Sequence, residues 1–276
     1  MNRLTKQKQI QIVSALVEGC SMRAVSRMVD VSINTVVKLL RDIGKACDAY
    51  QNEKLTNLSC KRVQVDEIWS FCYSKQKNVP KEHVGKFGYG DVWTWTAICA
   101  DTKLVPCWHV GRRSAEDAAL FISDLHSRLK DRIQLTSDGL HTYLNAVEES
   151  FGCDIDYAML VKLYGSADHS GERRYSPAEY AGSETKVVCG FPNPDNISTS
   201  FVERQNLTMR MSMRRFTRLT NGFSKKVENH MDAISLHFMN YNFCRIHKTL
   251  RVTPAMEAGV SDHPWTVEEM IELMEC

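Results

Sequence analysis

The sequence lacks several features that would assign it to a common class of protein. No apolar run reaches the length that crosses a membrane, and the polar N-terminus carries no apolar signal-peptide segment. Its 10 cysteines include no pair at zinc-knuckle spacing and form no cluster with histidine. Gly85, Gly88 and Gly90 lack the lysine and the following helix of a phosphate-binding loop. We therefore expect a cytoplasmic protein with reduced cysteines and no zinc centre.

Charge is segregated along the 276 residues, although the net charge is only +2. Residues 1–62 carry 11 basic and 5 acidic side chains, and residues 201–226 carry 7 basic and 1 acidic. The other two segments are acidic, with 14 basic against 19 acidic side chains over 63–200 and 3 against 8 over 227–276. Two basic blocks around an acidic centre suit a protein that binds a polyanion, although proteins that bind no nucleic acid also segregate charge.

The first 45 residues predict three helices. Apolar periodicity indicates a helix over 5–18, and Ser21 is the predicted N-cap of a short helix that ends at Met28. After a tight turn, a third helix is predicted over 33–43, which gives a helix-turn-helix arrangement. Side chains that can reach base edges and phosphates lie on the outward side of the third helix: Ser32 (its predicted N-cap), Asn34, Thr35, Lys38 and Arg41. A three-helix bundle that binds protein is the alternative.

From residue 63 the pattern changes to β-strands separated by helices. Strands rich in β-branched and aromatic residues are predicted over 63–74, 92–101, 103–113, 132–139 and 156–165. Helices are predicted over 114–130, 142–151, 226–244 and 265–275. This order predicts an α/β fold with three antiparallel strands, then parallel strands with flanking helices. Residues 44–62 are predicted as a helical or loose linker, and residues 166–197 as an irregular insertion.

Three acidic residues stand where a metal site can be built. Asp66 lies inside an otherwise apolar strand, where an unpaired acid is costly. Asp138 ends the fourth strand before Gly139, at the edge where α/β sheets bind ligands. The alternatives are an ion pair with a neighbouring arginine for Asp66 and a turn-forming role for Asp138. The period of a strand sends Glu67 to the opposite face, so we expect only one of the two adjacent acids to face the others.

The third acid, Glu203, begins the basic segment over 200–226. If this segment is helical, Glu203, Asn206, Arg210 and Arg214 share one face. An amphipathic surface helix with a basic side is the alternative. We expect the bases of this segment to contact DNA phosphates: Arg204, Arg210, Arg214, Arg215, Arg218, Lys225 and Lys226.

Carboxylates from the first strand, the fourth strand and a later helix are the ligands that a two-metal phosphodiester site requires. Mg²⁺ prefers oxygen ligands and is often bound by one or two carboxylates together with substrate phosphates. We therefore predict two Mg²⁺ ions, with Mn²⁺ able to substitute, held by Asp66, Asp138 and Glu203. In this interpretation the basic side chains hold the DNA.

Five stretches resemble the DDE-class bacterial insertion-sequence transposases, specifically the family named for insertion sequence one. They are VDEIWSF at 65–71, FGYGDVWTWTAI at 87–98, LTSDG at 135–139, ISTSFVERQNLTMRMSMRRFTRLTNGFSKKVENH at 197–230 and FMNYNFCRIHKTLRVTPAMEAG at 238–259. The resemblance implies an RNase H-like core with Asp66, Asp138 and Glu203 as its catalytic metal ligands, and Arg210 as the basic residue that follows the glutamate. It also implies strand cleavage at element ends, followed by strand transfer into target DNA.

The resemblance further implies how the chain is organised. An all-α helix-turn-helix domain (1–45) and a linker (46–62) would precede the catalytic domain (63–260) and a C-terminal helix (261–276). Partners would be double-stranded DNA, as terminal inverted repeats and target, and a second copy of the chain in a homodimer or higher oligomer. The location would be the bacterial cytoplasm, associated with the nucleoid. Some relatives carry a cysteine-paired zinc element before the helix-turn-helix, and this sequence has none.

The last matching stretch contains the family's C-terminal core motif. Its residues are expected to support the site or to contact DNA: Tyr241, Asn242, Arg245, His247 and Lys248. For His247 a capping or core role is the alternative. Two other functions remain open at this stage, a nuclease or junction resolvase on the same fold and a DNA-binding regulator without catalysis.

Overall fold

The computed structural model of the protein describes residues 4–165, 180–217 and 220–275. Three helices come first, in the order α1 (Lys6–Val17), α2 (Met22–Val29) and α3 (Ile33–Lys54). They pack on one another through buried aliphatic side chains that include Val13, Val25 and Val36. The predicted order and spacing of these helices is therefore confirmed.

Local capping decides where α2 and α3 begin. The Ser21 hydroxyl accepts a hydrogen bond from Ala24 N, and the Ser32 hydroxyl accepts one from Thr35 N, as N-cap side chains do. Between the two helices, Asp30 adopts the left-handed conformation with φ of 52°. Aspartate tolerates this conformation better than most residues, so the turn predicted between the helices forms.

The third helix is longer than the sequence predicts, because it packs along a distant helix. α3 continues past residue 43 to Lys54 and lies against α7 (Val227–Met239). A Cβ at Gly44 would come within 2.5 Å of Asp232 Cβ, so only glycine permits this close approach. Further along, the buried Gln51 amide donates to Ser235 O at 3.1 Å. The predicted linker over 46–62 therefore starts inside a packed helix.

A six-stranded sheet forms the centre of the molecule. Its strands are β1 (Arg62–Cys72), β2 (Gly90–Cys99), β3 (Trp108–Gly111), β4 (Ile133–Ser137), β5 (Ile155–Tyr164) and β6 (Tyr180–Cys189). In space the order is β3-β2-β1-β4-β5-β6. The first three strands are antiparallel, while β1, β4 and β5 are parallel, as predicted.

Helices cover both faces of the sheet. On one face, α4 (Ala115–Arg128) and α5 (Thr142–Phe151) pack on the buried Trp95 ring through Phe121 and Tyr143. On the other face lie α6 (Ser200–Ser212) and α7. There the rings of Trp108 and Phe238 have centroids 4.8 Å apart. Alternate residues of β1 therefore face two different helical layers.

The predicted irregular insertion contains a strand. Residues 180–189 form β6, which pairs antiparallel with β5, so the prediction over 166–197 is wrong for this part. Most β6 side chains are exposed, and main-chain hydrogen bonds rather than burial hold the strand to β5. A strand of this kind leaves no apolar alternation in the sequence. The rest of the predicted insertion up to residue 179 lies outside the described residues.

The basic segment is not one continuous helix. α6 ends at Ser212, Met213 is extended, and a single 3₁₀ turn over Arg214–Phe216 follows. Met213 and Phe216 turn into the core. The end of α6 also abuts the loop after α1, where a Cβ at Gly19 would lie 2.8 Å from Ser212 O. Arg214 therefore does not continue the helical face of Glu203.

The C-terminal segment closes on the N-terminal helices. After α7 come a π-helical turn over Asn240–Cys244, then α8 (Pro254–Glu257) and α9 (Val267–Glu272). Lys6 in α1 forms ion pairs with Glu268 at 2.7 Å and Glu272 at 2.9 Å. Within the described part of the chain, every helix is too short or too polar to cross a membrane.

Candidate metal and DNA site

Asp66 and Asp138 meet where one parallel strand stops and its neighbour continues. β1 and β4 pair at a constant offset, with Arg62 opposite Gln134 and Gln64 opposite Thr136. Continued beyond this ladder, the same offset brings Asp66 level with Asp138. Because β4 ends at Ser137, the edge of β1 is open at this level.

A third acid, Glu67, joins them from the other face of β1. One carboxylate oxygen each from Asp66, Glu67 and Asp138 all lie within 4.8 Å of one another. The expectation that only one of the adjacent acids can face the site is therefore wrong. Strand periodicity does direct Glu67 to the α5 side, where Tyr143 Oη donates to its Oε2 at 3.2 Å. We infer that the Glu67 side chain can still approach Asp138 because β4 ends at Ser137 and no longer separates the two faces of the sheet at this level.

Each of the three acids has a different set of partners. Asp66 Oδ2 accepts from the Asn206 amide at 2.8 Å, and among the described residues it forms no ion pair with an arginine, its predicted alternative. Arginine pairs with the neighbouring acid instead, because Arg113 contacts Glu67 Oε1 at 2.6 Å. Asp138 Oδ1 accepts from Leu140 N at 3.0 Å, so Asp138 both forms the predicted turn and faces the other two acids.

Crowding and burial disfavour the charged forms of these acids. Burial, and then the charge of Asp138, raise the pKa of Asp66 to about 7. The same two causes raise the pKa of Glu67 to about 7, against the lowering effect of Arg113. Burial also raises the pKa of Asp138. A divalent cation that binds such a group favours the charged forms and relieves their repulsion.

Glu203 lies in the same cleft but outside this tight group. A cleft of about 520 Å³ is lined by Asp66, Asp138 and Glu203, together with Arg113 and Lys162. Glu203 is held by two donors on its own side, Lys162 Nζ at 2.5 Å and Thr199 Oγ1 at 2.6 Å. The structure thus brings two of the three predicted ligands together, and the third faces them across the cleft.

Gln64 and Asn206 determine how α6 approaches the sheet. The buried Gln64 Oε1 accepts hydrogen bonds from Phe201 N at 2.8 Å and Val202 N at 3.1 Å. These are main-chain donors of the first turn of α6, which no helical carbonyl can satisfy. One turn later, the buried Asn206 reaches Asp66. A side chain two positions before Asp66 therefore anchors the helix that carries Glu203.

The predicted basic residues divide into exposed and packed groups. Arg204, Arg214, Lys225 and Lys226 are exposed, and Arg210 is half-buried on α6. Arg215 is also half-buried and donates from Nε to Ser224 Oγ at 2.7 Å, so it packs the loop after α6. Arg218 lies outside the described residues.

The third helix presents part of its predicted DNA-binding face. Asn34, Lys38 and Arg41 are exposed along one side of α3. The hydroxyls of Ser32 and Thr35 lie 2.9 Å apart at the helix start, and Ser32 is occupied as the N-cap. The surface therefore offers one amide and two cations, while the Ser32 hydroxyl caps the helix and the Thr35 hydroxyl contacts it.

The C-terminal motif supports the hairpin between β2 and β3. The buried Asn242 amide accepts from Val105 N and donates to Val105 O, both at 3.0 Å. Tyr241 Oη donates to Lys103 O at 3.0 Å. The His247 ring lies 3.0 Å from Thr249 Oγ1 within its own loop, and burial lowers its pKa. Arg245 and Lys248 are exposed.

Sequence reasoning missed Glu67, Arg113, Tyr143 and Lys162. Adjacent acids in an apolar strand were a visible signal for Glu67, but periodicity argued against it. Arg113, Tyr143 and Lys162 lie far from the acids along the chain, on the β3–α4 connection, α5 and β5. No local pattern distinguishes them from other basic or aromatic residues, and only the fold brings them to the cleft.

Comparisons with known proteins find structural similarity but no sequence match. No protein-family model matches the chain, and no curated protein matches it. Among solved structures, the chain is similar to a piggyBac transposase in a cryo-EM synaptic complex with hairpin DNA. The identity is 10%, over 99% of this chain and 71% of that chain, with a TM-score of 0.47. A similarity at this level assigns no activity to the chain.

Proposed function

We propose that the chain is a DDE-type DNA transposase that cleaves strands at the ends of an insertion sequence and transfers them to target DNA. One observation carries the proposal. Asp66, Glu67 and Asp138 converge within 4.8 Å at the open edge of β1, in a cleft that Glu203 also lines. Acids gathered this closely are costly without a cation, which favours a metal site over a structural cluster.

The sheet topology supports an RNase H-like core. Three antiparallel strands, followed by β4 and β5 parallel to β1, alternate with α4 and α5. Such a core carries acids within its first strand, at the end of its fourth strand and on a later helix. Asp66, Asp138 and Glu203 occupy these elements in this chain.

The ligand set fits hard divalent cations such as Mg²⁺, with Mn²⁺ able to substitute, because every group in it is a carboxylate. Two such ions would activate the attacking oxygen and stabilise the leaving oxygen at phosphorus. Asp66, Asp138 and Glu203 would hold them. The Asn206 amide orients Asp66. The ion pair of Arg113 with Glu67 keeps the Arg113 guanidinium beside the acids.

DNA would lie across the basic surfaces around the cleft. Arg204 is exposed on α6 and Arg214 is exposed just after it. Lys225 and Lys226 lie immediately before α7. We propose that α2 and α3 form a helix-turn-helix that recognises the terminal inverted repeats through Asn34, Lys38 and Arg41. Joining two element ends requires at least two subunits, so the active form would be a homodimer or higher oligomer on DNA.

The test uses purified protein, terminal inverted-repeat DNA of its element, target DNA and Mg²⁺. Wild-type protein should nick at the element end and form a covalent strand-transfer product, with cleavage sites read at nucleotide resolution. Glu203→Gln should abolish both products and retain DNA binding. Glu82→Gln, an exposed acid outside the cleft, is the matched control.

Each alternative outcome has a clear meaning. Cleavage by Glu203→Gln at the wild-type rate would remove Glu203 from the catalytic set. Cleavage by the wild type without strand transfer would instead favour a nuclease or resolvase. Specific binding without any cleavage would favour a regulator.

A further inference from the structure

Lys162 in β5 forms the closest contact to Glu203 in the described chain. Its Nζ lies 2.5 Å from both carboxylate oxygens of Glu203. An ammonium between the two oxygens occupies the position that a cation bound through both would take. Lys162 and a divalent cation repel each other, so they cannot share this carboxylate at low cost.

Both side chains of this pair are accessible. The side chain of Lys162 is 31% exposed and that of Glu203 is 41% exposed. An exposed ion pair contributes little net stability, so its members can exchange partners readily. The main chain on each side is held in place, because Lys162 pairs with Ser183 in the sheet and Gln64 anchors the start of α6. Exchange would need only side-chain rotation.

Lys162 also lines the cleft that contains Asp66 and Asp138. A DNA strand bound for cleavage brings phosphates into this cleft, and a lysine ammonium binds phosphate as a point charge. With DNA bound as proposed, Lys162 would have two anionic partners within its reach, the Glu203 carboxylate and a backbone phosphate.

We propose that Lys162 is a positioning residue that exchanges Glu203 for a DNA phosphate. In the free protein it holds the carboxylate of Glu203. When Glu203 turns to the cation, Lys162 binds a phosphate beside the scissile bond. This inference rests on the proposed function. It makes cation binding and DNA binding support each other. A cation on Glu203 frees Lys162 for DNA, and DNA on Lys162 frees Glu203 for the cation.

The first test compares Lys162→Met with Lys186→Met, a matched exposed lysine on the neighbouring strand β6. Without DNA, Lys162→Met should bind Mn²⁺ about tenfold more tightly than wild type, because a competing cation is removed. With Ca²⁺ present, the slope of log K for duplex DNA against log salt should fall by about 1, because one phosphate contact is lost. Lys186→Met should change neither quantity. Unchanged or weaker Mn²⁺ binding by Lys162→Met would overturn the exchange.

A double-mutant cycle gives an independent test in EDTA, with Glu203→Gln as the second substitution. A neutral amide cannot retain the ammonium as a carboxylate does, so Glu203→Gln should bind DNA more tightly than wild type. This gain should shrink when Lys162→Met is also present, which the coupling term of the cycle measures. Equal gains in both backgrounds would overturn the exchange. A wild-type chain that binds neither Mn²⁺ nor DNA would instead refute the proposed function itself.

Discussion

Glu67 and Glu203 are both paired with a basic side chain that lines the cleft, but they differ in exposure. The Glu67 side chain is 2% exposed and its partner Arg113 is 42% exposed, whereas Glu203 and Lys162 are 41% and 31% exposed. A buried acid that loses its partner becomes an uncompensated charge, while an exposed acid is solvated by water. The acids on the sheet side of the cleft are therefore fixed, whereas on the α6 side the Glu203 side chain can exchange partners while the helix stays in place.

The same contrast separates the three predicted metal ligands. Asp66 and Asp138 come from neighbouring parallel strands, and Asn206 of α6 donates to Asp66. Glu203 comes from α6, whose position depends on Gln64 and whose carboxylate is held by Lys162. The strand acids are thus close together in the unbound protein, and in the proposed function Glu203 would join them last.

The largest effect should follow from a change on the fixed side. Asp138→Asn should reduce Mg²⁺-dependent cleavage by about a thousandfold, in the range seen when a group that stabilises transition-state charge is removed. DNA binding, measured by fluorescence anisotropy, should stay within about twofold of wild type, because the phosphate contacts remain. Retained cleavage would mean that the cluster does not hold the reacting metal.

Arg113→Met should destabilise the fold in a pH-dependent way. The pKa of Glu67 is about 7 in the folded protein, above its usual 4.5, so Glu67 is ionised mainly above pH 7. At pH 8 the loss should be about 3 kcal/mol, because a buried carboxylate loses its partner. As the pH falls below 7 the carboxylate becomes protonated, so the loss should shrink. Urea unfolding at pH 8 and pH 5.5 measures both values, and an equal loss at the two pH values would contradict the burial of a charge at Glu67.

Gln64→Ala should have a smaller effect, localised to α6. It removes the acceptor of two main-chain N–H groups, so the free energy of unfolding should fall by about 1–2 kcal/mol. Gln64→Glu keeps an acceptor at this position and should lose less. Hydrogen exchange at Phe201 and Val202 should speed up in the alanine variant before the rest of the sheet is affected. Uniform acceleration across the chain would argue against an anchoring role.

The smallest effect on stability is expected for Lys162→Met. Its partner is exposed, so the free energy of unfolding should change by less than about 0.5 kcal/mol. This result, set beside Arg113→Met in the same urea experiment, sharpens the contrast between the two sides of the cleft. A loss as large as that of Arg113→Met would mean that the pair with Glu203 is structural.

Much of the fold follows from local patterns. Hydroxyl caps at Ser21 and Ser32 start two helices, and runs of β-branched and aromatic residues mark the strands up to β5. Prediction failed where long-range packing decides the outcome. α3 extends because Gly44 lets it lie against α7, α6 stops because Met213 and Phe216 enter the core, and β6 forms by main-chain pairing with exposed side chains.

The sequence by itself determined the order of the strands and helices, the caps, and the candidate roles of Asp66, Asp138 and Glu203, because these depend on residue type and short-range spacing. Only the tertiary structure decided which acids meet. The end of β4 at Ser137 opens the edge of β1, so Glu67 joins Asp66 and Asp138 despite strand periodicity. Lys162, 41 residues from Glu203 along the chain, pairs with Glu203 on its own side of the cleft. Charges interact through space, and their distances are set by packing that no local pattern encodes.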